Sequence, residues 1–383
     1  MKTINFIIFF TIFFSLYGLI NYYIFVRGWQ CLPIDSRLRT LYIILFLLLS
    51  LSFIFGRILE RICLCFVSDI FVWIGSFWLA AMLYFFLIIV LVDFLRLINI
   101  WLPFLPTIFE KFARAKQITL LTSIGSVSVL LIIGLFNALH PVVKTIDLAI
   151  PKPANSKTLN IVVASDIHLG TIIGKKRFCD IVNKINALNP DIVLLPGDIV
   201  DEDLRPVIKE NLGEGLTKIK SKYGIYAITG NHEYIGGVEA GSKYLEDHNV
   251  LMLRDSVVKI NDSVYIVGRE DRTINQFTNR KRKTMGELLT SVDKSSPIIL
   301  MDHQPFQLFE AEKNGIDLQI SGHTHHGQLW PLNYITNAVY ELSMGYLKKG
   351  NTHFYVSCGI GTWGPPVRIG NRPEIIHIRL TFE

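Results

Sequence analysis

The sequence of 383 residues predicts a multi-span α-helical membrane region followed by an α/β (α+β) sandwich with mixed sheets. The first reason is charge: residues 1–150 contain 11 Lys and Arg with 6 Asp and Glu, whereas residues 151–383 contain 27 and 26. A soluble domain carries about a quarter charged residues, so the overall 18% averages two different regions. The second reason is hydropathy, because apolar stretches of spanning length occur only before residue 150. The third is a series of short apolar runs after it, which is typical of strands.

The membrane region is predicted to cover residues 1–150 with about four transmembrane helices. A helix needs about 20 apolar residues to cross a bilayer. No predicted span contains the cluster of ionisable residues that marks a transport path, which favours an anchor over a channel or transporter. Basic residues flanking the spans divide six against seven between the two possible orientations, so the membrane face of the following domain stays open. The apolar stretches run roughly over 4–26, 41–55, 70–92 and 118–139.

The remaining chain is predicted to be a linker, residues 151–158, and a globular domain, residues 159–383. The linker contains Pro151 and Pro153, which cannot continue a helix. Continuous short apolar runs fit strands that are covered on both faces, and alternation around Asn261 and Asp262 predicts a hairpin over 259–267. The other predicted strands cover 159–164, 192–195, 225–229, 298–301, 318–320, 354–357 and 375–380.

Residues that bind metals well follow five of these strands. In open α/β sheets ligands bind at the carboxyl ends of the strands, where loops converge. Gly197, Gly230 and Gly322 each precede a candidate ligand and allow a close backbone approach. One such motif alone is as often a hydrogen-bonded structural group, but five together favour a metal site. The motifs are Asp166-x-His168, Gly197-Asp198, Gly230-Asn231-His232-Glu233, His303 and Gly322-His323-Thr324-His325.

In this order the motifs resemble the calcineurin-like metallophosphoesterase family over about residues 159–380. The segments 226–233 and 322–328 are most similar to its membrane-associated bacterial branch. The resemblance implies a metallophosphoesterase catalytic domain in an integral protein of the bacterial inner membrane. It also implies a phosphoester substrate, lipid-linked or not. Some members of that branch hydrolyse the lipid A precursor UDP-2,3-diacylglucosamine.

The resemblance further implies two divalent metal ions. Carboxylate, imidazole and amide ligands suit Mn, Fe or Zn, and the sequence does not choose among these metals. A hydroxide bridging the two ions would attack phosphorus in line. Asp198 would bridge the ions. Carried over by motif position, the other ligands are Asp166, His168 and His325 for one ion, and Asn231, His303 and His323 for the other.

Three further residues receive roles outside the metal shell. By the same resemblance, His232 is a catalytic residue that faces the leaving oxygen, where an imidazolium can protonate it; a buried hydrogen-bonding histidine is the alternative. Arg368 is a candidate ligand for a substrate phosphate, with a structural ion pair as its alternative. His326 is a candidate substrate contact, with an exposed loop histidine as the alternative.

The predicted function is a membrane-anchored dinuclear-metal phosphoesterase that hydrolyses phosphoester or pyrophosphate bonds. One alternative is an enzyme like the UDP-2,3-diacylglucosamine diphosphatase of the lipid A pathway. The other is an inactive sensor or binding protein with the same fold. The lipid bilayer and the substrate are the expected partners. Nucleic acid is not expected, because the dense basic run 280–283 is typical of a solvated loop or helix start.

Overall fold

A computed structural model describes residues 2–33, 37–103 and 113–383. The chain divides into two compact units. The first consists of Met1–Leu135 with Gly364–Val367, and the second of Phe136–Trp363 with Arg368–Glu383. Each unit is described below by itself.

The first unit is built from long apolar helices. Among the described residues, four helices are long and apolar enough to cross a membrane, which agrees with the prediction of about four spans. The second helix was predicted from an apolar stretch of marginal length, and in the structure it has 26 residues. The helices are α1 (Lys2–Trp29), α2 (Arg37–Ile62), α3 (Phe66–Trp101) and α4 (Ala113–Leu139).

Helices α2 and α3 approach closely because two glycines face the neighbouring backbone. A Cβ at Gly75 would lie 2.4 Å from the Cα of Phe53, and one at Gly56 would lie 2.8 Å from the backbone of Phe71. Small residues at such positions let apolar helices gain van der Waals contact where lipid offers no hydrophobic driving force. The packing of this pair therefore depends on both glycines.

The second unit contains two mixed six-stranded sheets, as predicted for the globular domain. In the first sheet the strand β12 (Glu374–Phe382) pairs antiparallel with β2 (Thr158–Val163), and the remaining pairs are parallel. Its strand order is β1 (Val142–Ile150), β12 (Glu374–Phe382), β2 (Thr158–Val163), β3 (Ile192–Pro196), β4 (Ile225–Ile228), β5 (Val250–Met252). The second sheet has the order β10 (Gly345–Lys349), β11 (Thr352–Val356), β9 (Leu318–Ser321), β8 (Ile298–Met301), β7 (Val264–Gly268), β6 (Ser256–Ile260).

The two sheets pack face to face, and helices cover their outer faces. Alternate residues of one strand enter different cores: Ile161 and Val163 lie between the sheets, whereas Val162 packs with Phe178 of the helix outside. This period of two with both faces covered explains the continuous apolar runs. The helices are α5 (Lys175–Ala187), α6 (Leu204–Lys209), α7 (Gly213–Leu216), α8 (Asn231–Gly236), α9 (Val238–Glu246), α10 (Ile274–Phe277), α11 (Met285–Leu288), α12 (Phe309–Asn314) and α13 (Asn333–Val339).

Strand β1 corrects the domain boundary predicted at residue 150. It pairs in parallel with β12 from Val142 to Ile150, so it belongs to the first sheet and not to the membrane region. The segment 151–157 then joins two strands of one sheet instead of linking two domains. Lys144 and Asp147, both exposed, interrupt the apolar pattern of this edge strand, which hides the strand from a search for continuous apolar runs.

We expect a truncated chain of residues 151–383 to be less stable than one of residues 141–383. Without β1, strand β12 becomes an open edge, and the burial of Leu148 and Ile150 is lost. Burying one such side chain is worth about 1.5–3 kcal/mol, so the loss should be several kcal/mol. Thermal unfolding of the two truncated proteins measures this difference. Equal melting temperatures would contradict the assignment of β1 to the domain.

Candidate metal centre

The structure brings the seven predicted ligand residues together at the carboxyl ends of five strands. Ligand atoms of Asp166, His168 and His325 lie within 4.8 Å of one another, as do those of Asp198, His303 and His323. The seventh residue, Asn231, places its Oδ1 2.8 Å from Nδ1 of His323. The two sets correspond to the two ligand groups that the sequence motifs imply.

Asp198 lies between the two ligand groups. Its Oδ2 is 3.1 Å from Nε2 of His303 and 4.0 Å from Nε2 of His168. Its Oδ1 accepts a hydrogen bond from the backbone N–H of His232. The carboxylate therefore faces both groups at once, and its side chain is only 2% exposed.

The loops that carry the candidate ligands hold them in strained conformations. Among the described residues, Asp166, His168, Asp198, His323 and His325 have φ between 45° and 71°. Non-glycine residues in this region cost about 1–3 kcal/mol each and occur where the surrounding structure fixes them, often at functional sites.

Close packing against two glycines keeps these loops in place. A Cβ on Gly230 would lie 2.1 Å from Oδ1 of Asp198, and one on Gly322 would lie 1.9 Å from Oγ of Ser165. The interpretation of these glycines as points of close approach is confirmed. Any side chain at either position would displace a ligand loop.

The nitrogen atoms that face the centre fit a bound cation. Nδ1 of His303 donates to the carbonyl oxygen of Pro196 at 2.7 Å, which aims Nε2 at Asp198. That Nε2 is buried, and Oδ2 of Asp198, which faces it at 3.1 Å, is itself a candidate ligand atom. In the other group, Nε2 of His168 and Nε2 of His325 face each other at 3.1 Å. Buried imidazole and carboxylate atoms that converge in this way can bind a divalent cation such as Mn, Fe or Zn.

The electrostatics of the centre favour positive charge. Burial raises the pKa of Asp198, but His303 and His232 offset this and hold it well below its ordinary value. Burial lowers the pKa of His303, yet the facing Asp198 raises it well above the usual range. The centre therefore binds a proton strongly, and a metal cation that binds there would have to displace that proton.

His323 contributes a neutral nitrogen to the same group. Burial, with a further contribution from His303, lowers its pKa to about 4. A neutral imidazole keeps a lone pair available for a metal, whereas an imidazolium does not. His323 therefore offers a ligand atom throughout the neutral pH range.

Asp201 is a residue of the candidate site that the sequence analysis missed. Its Oδ1 lies 3.1 Å from Nδ1 of His232 and 3.6 Å from Nδ1 of His168. Burial lowers the pKa of His232, but Asp198 and Asp201 together raise it to about 9. The neighbouring Asp203, by contrast, caps helix α6. The position of Asp201 three residues after Asp198, on the same loop, was the available signal.

Glu233 connects two of the ligand loops. Its carboxylate accepts four backbone hydrogen bonds of 2.7–3.0 Å, one from Gly230 and the others from Asp198, Ile199 and Val200. A buried carboxylate satisfied by backbone N–H groups fixes their geometry. Glu233 therefore holds the loop of Asp198 against the loop of Asn231 and His232.

The predicted role of Arg368 as a phosphate ligand is wrong. The residue is completely buried. Its Nη1 donates to the carbonyl oxygen of His325 at 3.0 Å, and its Nη2 donates to that of Gly361 at 2.7 Å. Nη2 also lies 3.1 Å from Nδ1 of His325. Arg368 holds the His325 loop, and because it is completely buried it cannot reach a substrate.

His326 lies in the same turn as His325 but faces another partner. Its Nδ1 is 2.8 Å from Oγ of Ser343. Among the described residues it belongs to none of the groups of potential metal ligands, although His232 does, with His168 and Asp198. A contact between His326 and substrate stays a prediction.

Comparison with known proteins agrees with this fold. A family model described as calcineurin-like phosphoesterase matches residues 159–327. An uncharacterized metallophosphoesterase from Aquifex aeolicus is 31% identical over 233 residues, which cover 60% of this chain and 87% of that protein. The chain therefore belongs to the calcineurin-like phosphoesterase family.

Two further relatives extend the comparison. An uncharacterized metallophosphoesterase from Helicobacter pylori is 35% identical over 230 residues, or 58% of this chain. A transmembrane protein with metallophosphoesterase domain from Danio rerio is 33% identical over 267 residues, or 66% of this chain. The aligned part spans 60% of the length of each of these two relatives. With its four membrane-competent helices, the chain is a membrane protein with a metallophosphoesterase domain.

We expect Glu233→Gln to destabilise the second unit. Either orientation of the amide would turn its NH₂ group toward two backbone N–H donors, and an unsatisfied buried group costs about 1–3 kcal/mol. The melting temperature of the full-length protein in detergent should fall by several degrees. Glu246→Gln, an exposed position on α9, is the matched control and should change little. A Glu233→Gln protein as stable as the control would show that the four hydrogen bonds do not hold the loops.

Proposed function

We propose that this chain is a membrane-anchored phosphoesterase that uses two divalent metal ions to hydrolyse a phosphoester or pyrophosphate bond. The observation that carries this proposal is the position of Asp198, whose one carboxylate faces both groups of potential ligands. Two bound cations would supply the chemistry by polarising phosphoryl oxygens and lowering the pKa of a water.

His232 is the residue we propose for protonating the leaving group. It lies beside Asp198, and Asp201 faces its Nδ1 at 3.1 Å. A carboxylate on one ring nitrogen orients the imidazole and leaves the other nitrogen for the substrate oxygen. An imidazolium held in this way can donate a proton to an alkoxide as the P–O bond breaks.

An inactive binding protein is the less favoured function. Decay of an enzyme removes ligands or acid–base groups first, and here all seven ligand residues and His232 still converge. Residues outside the metal shell, Asp201 and Glu233, also retain contacts that orient them. These contacts support hydrolysis over binding alone.

The four helices favour a substrate at a membrane surface. Confinement of the enzyme to the bilayer raises the effective concentration of a lipid-linked phosphoester or pyrophosphate. Among enzymes that act on such lipid-linked substrates, we propose one of the bacterial inner membrane. The most specific reaction we propose is hydrolysis of a pyrophosphate like that of UDP-2,3-diacylglucosamine.

We expect Asp198→Asn to lose metal and activity together. The amide removes the negative charge that both ligand groups face, so bound metal should fall below two equivalents. Hydrolysis of a chromogenic phosphodiester should drop by about 100-fold or more, as when an electrostatic group of an active site is removed. Metal content and turnover of the purified full-length protein are the measurements.

The matched control for this variant is Asp180→Asn, which changes an exposed carboxylate on helix α5. It should keep both the metal content and the turnover of the parent protein. Two full equivalents of metal with near-normal turnover in Asp198→Asn would contradict the dinuclear proposal.

We expect His232→Ala to retain metal but to lose turnover in a way that depends on the leaving group. An alkoxide needs a proton as it departs, whereas nitrophenolate does not, so esters of simple alcohols should lose more rate than nitrophenyl esters. The measurement is kcat/KM for both ester types, together with metal content. Equal losses for both would identify His232 as a positioning residue instead.

A further inference from the structure

An exposed tryptophan stands beside the proposed acid. The indole of Trp363 is 51% exposed, whereas His232 is buried. Their ring centroids are 6.2 Å apart with the planes at 72°. A single exposed apolar residue is common on protein surfaces and needs no explanation by itself. The backbone of Trp363 gives a reason to treat this one differently.

The buried side chain of Gln328 fixes the backbone of Trp363 on both sides. The N–H of Trp363 donates to Oε1 of Gln328, and its carbonyl oxygen accepts from Nε2, each at 3.0 Å. Gln328 lies three residues after the ligand His325 and is only 6% exposed. The indole is therefore exposed on a rigid base, which lowers the entropy lost when a ligand packs against it.

The segment leading to Trp363 is also attached to the metal-binding loops. The N–H groups of Ile360 and Gly361 donate to the carbonyl oxygens of Ser165 and Asp166, each at 2.9 Å. A Cβ on Gly361 would lie 2.1 Å from the carbonyl oxygen of Ile167. The position of the indole is thus set relative to the ligands by hydrogen bonds and by direct contact.

We propose that Trp363 determines specificity by stacking on a planar leaving group. This inference rests on the proposed function, since His232 defines the side of the centre where the leaving oxygen departs. A flat ring on that oxygen, such as an aryl group or a heterocyclic base, would lie against the exposed face of the indole. One exposed face of an aromatic ring is sufficient for such stacking, and the stacking contributes to binding.

The surroundings of Trp363 favour a ring over an acyl chain. Polar side chains adjoin Trp363: His232 faces its ring, Gln328 holds its backbone, and Asp201 lies next to His232. A flat ring can stack on the exposed indole beside these polar groups, whereas an acyl chain needs a continuous apolar groove to lose its contact with water. Planar and chain-like leaving groups can therefore be distinguished experimentally.

The test compares two pairs of methyl phosphodiesters on the full-length protein in detergent. Phenyl and 2-naphthyl esters have leaving groups of similar acidity but different planar area. Butyl and octyl esters differ in chain length alone. In the parent protein we expect kcat/KM to be about 10-fold higher for naphthyl than for phenyl, the size of one good stacking contact. Trp363→Ala should reduce that ratio to within about twofold and Trp363→Phe should restore part of it. The octyl to butyl ratio should not change.

Two controls separate specificity from loss of structure. Metal content should stay at the parent level in both Trp363 variants. Phe309→Ala, which removes an exposed aromatic ring at the start of α12, should leave every ratio unchanged.

The outcomes distinguish the inference from the function on which it rests. An unchanged naphthyl to phenyl ratio in active Trp363→Ala would overturn the inference alone. A change confined to the octyl to butyl ratio would overturn it in favour of a chain-like group. Failure of the parent protein to hydrolyse any of the four esters would contradict the proposed function, and the inference with it.

Discussion

The structure of the centre depends on keeping one buried carboxylate ionised. Asp198 is 2% exposed, and a charge so far from water costs several kcal/mol unless it is paired and hydrogen-bonded. His303 at 3.1 Å and the backbone N–H of His232 provide this compensation. Each of these groups is fixed in turn, His303 by the carbonyl oxygen of Pro196 and the loop by Glu233. The strained φ of 51° at Asp198 persists because so many contacts determine it.

Much of the fold was accessible from the sequence because strands covered on both faces have a simple apolar signature. The five runs that precede the motifs became β2, β3, β4, β8 and β9, and Asn261 with Asp262 forms the turn between β6 and β7. The sequence analysis missed strand β1 because its exposed residues resemble the end of a membrane region. A half-solvated edge strand is recognised only when every second residue is compared.

The residues that sequence analysis missed or assigned wrongly share a physical cause. The ligands are recognised because metal chemistry requires particular residue types directly after a strand. The contacts of three other residues form only in the folded chain and are not visible in a sequence motif: Asp201, Glu233 and Arg368. An arginine 43 residues from His325 can be a phosphate ligand or a support, and only its contacts with the backbone of His325 and Gly361 decide.

Residues at the end of helix α4 also form hydrogen bonds within the second unit. Nδ2 of Asn137 donates to the carbonyl oxygen of Arg368, and Nη2 of Arg177 donates to that of Ala138. Cationic donors at the last carbonyls of a helix satisfy groups that have no partner within the helix. Because Arg368 also holds the His325 loop, Asn137 is hydrogen-bonded to the residue that supports that loop. The last residues of this helix therefore belong to the structure that positions the candidate site.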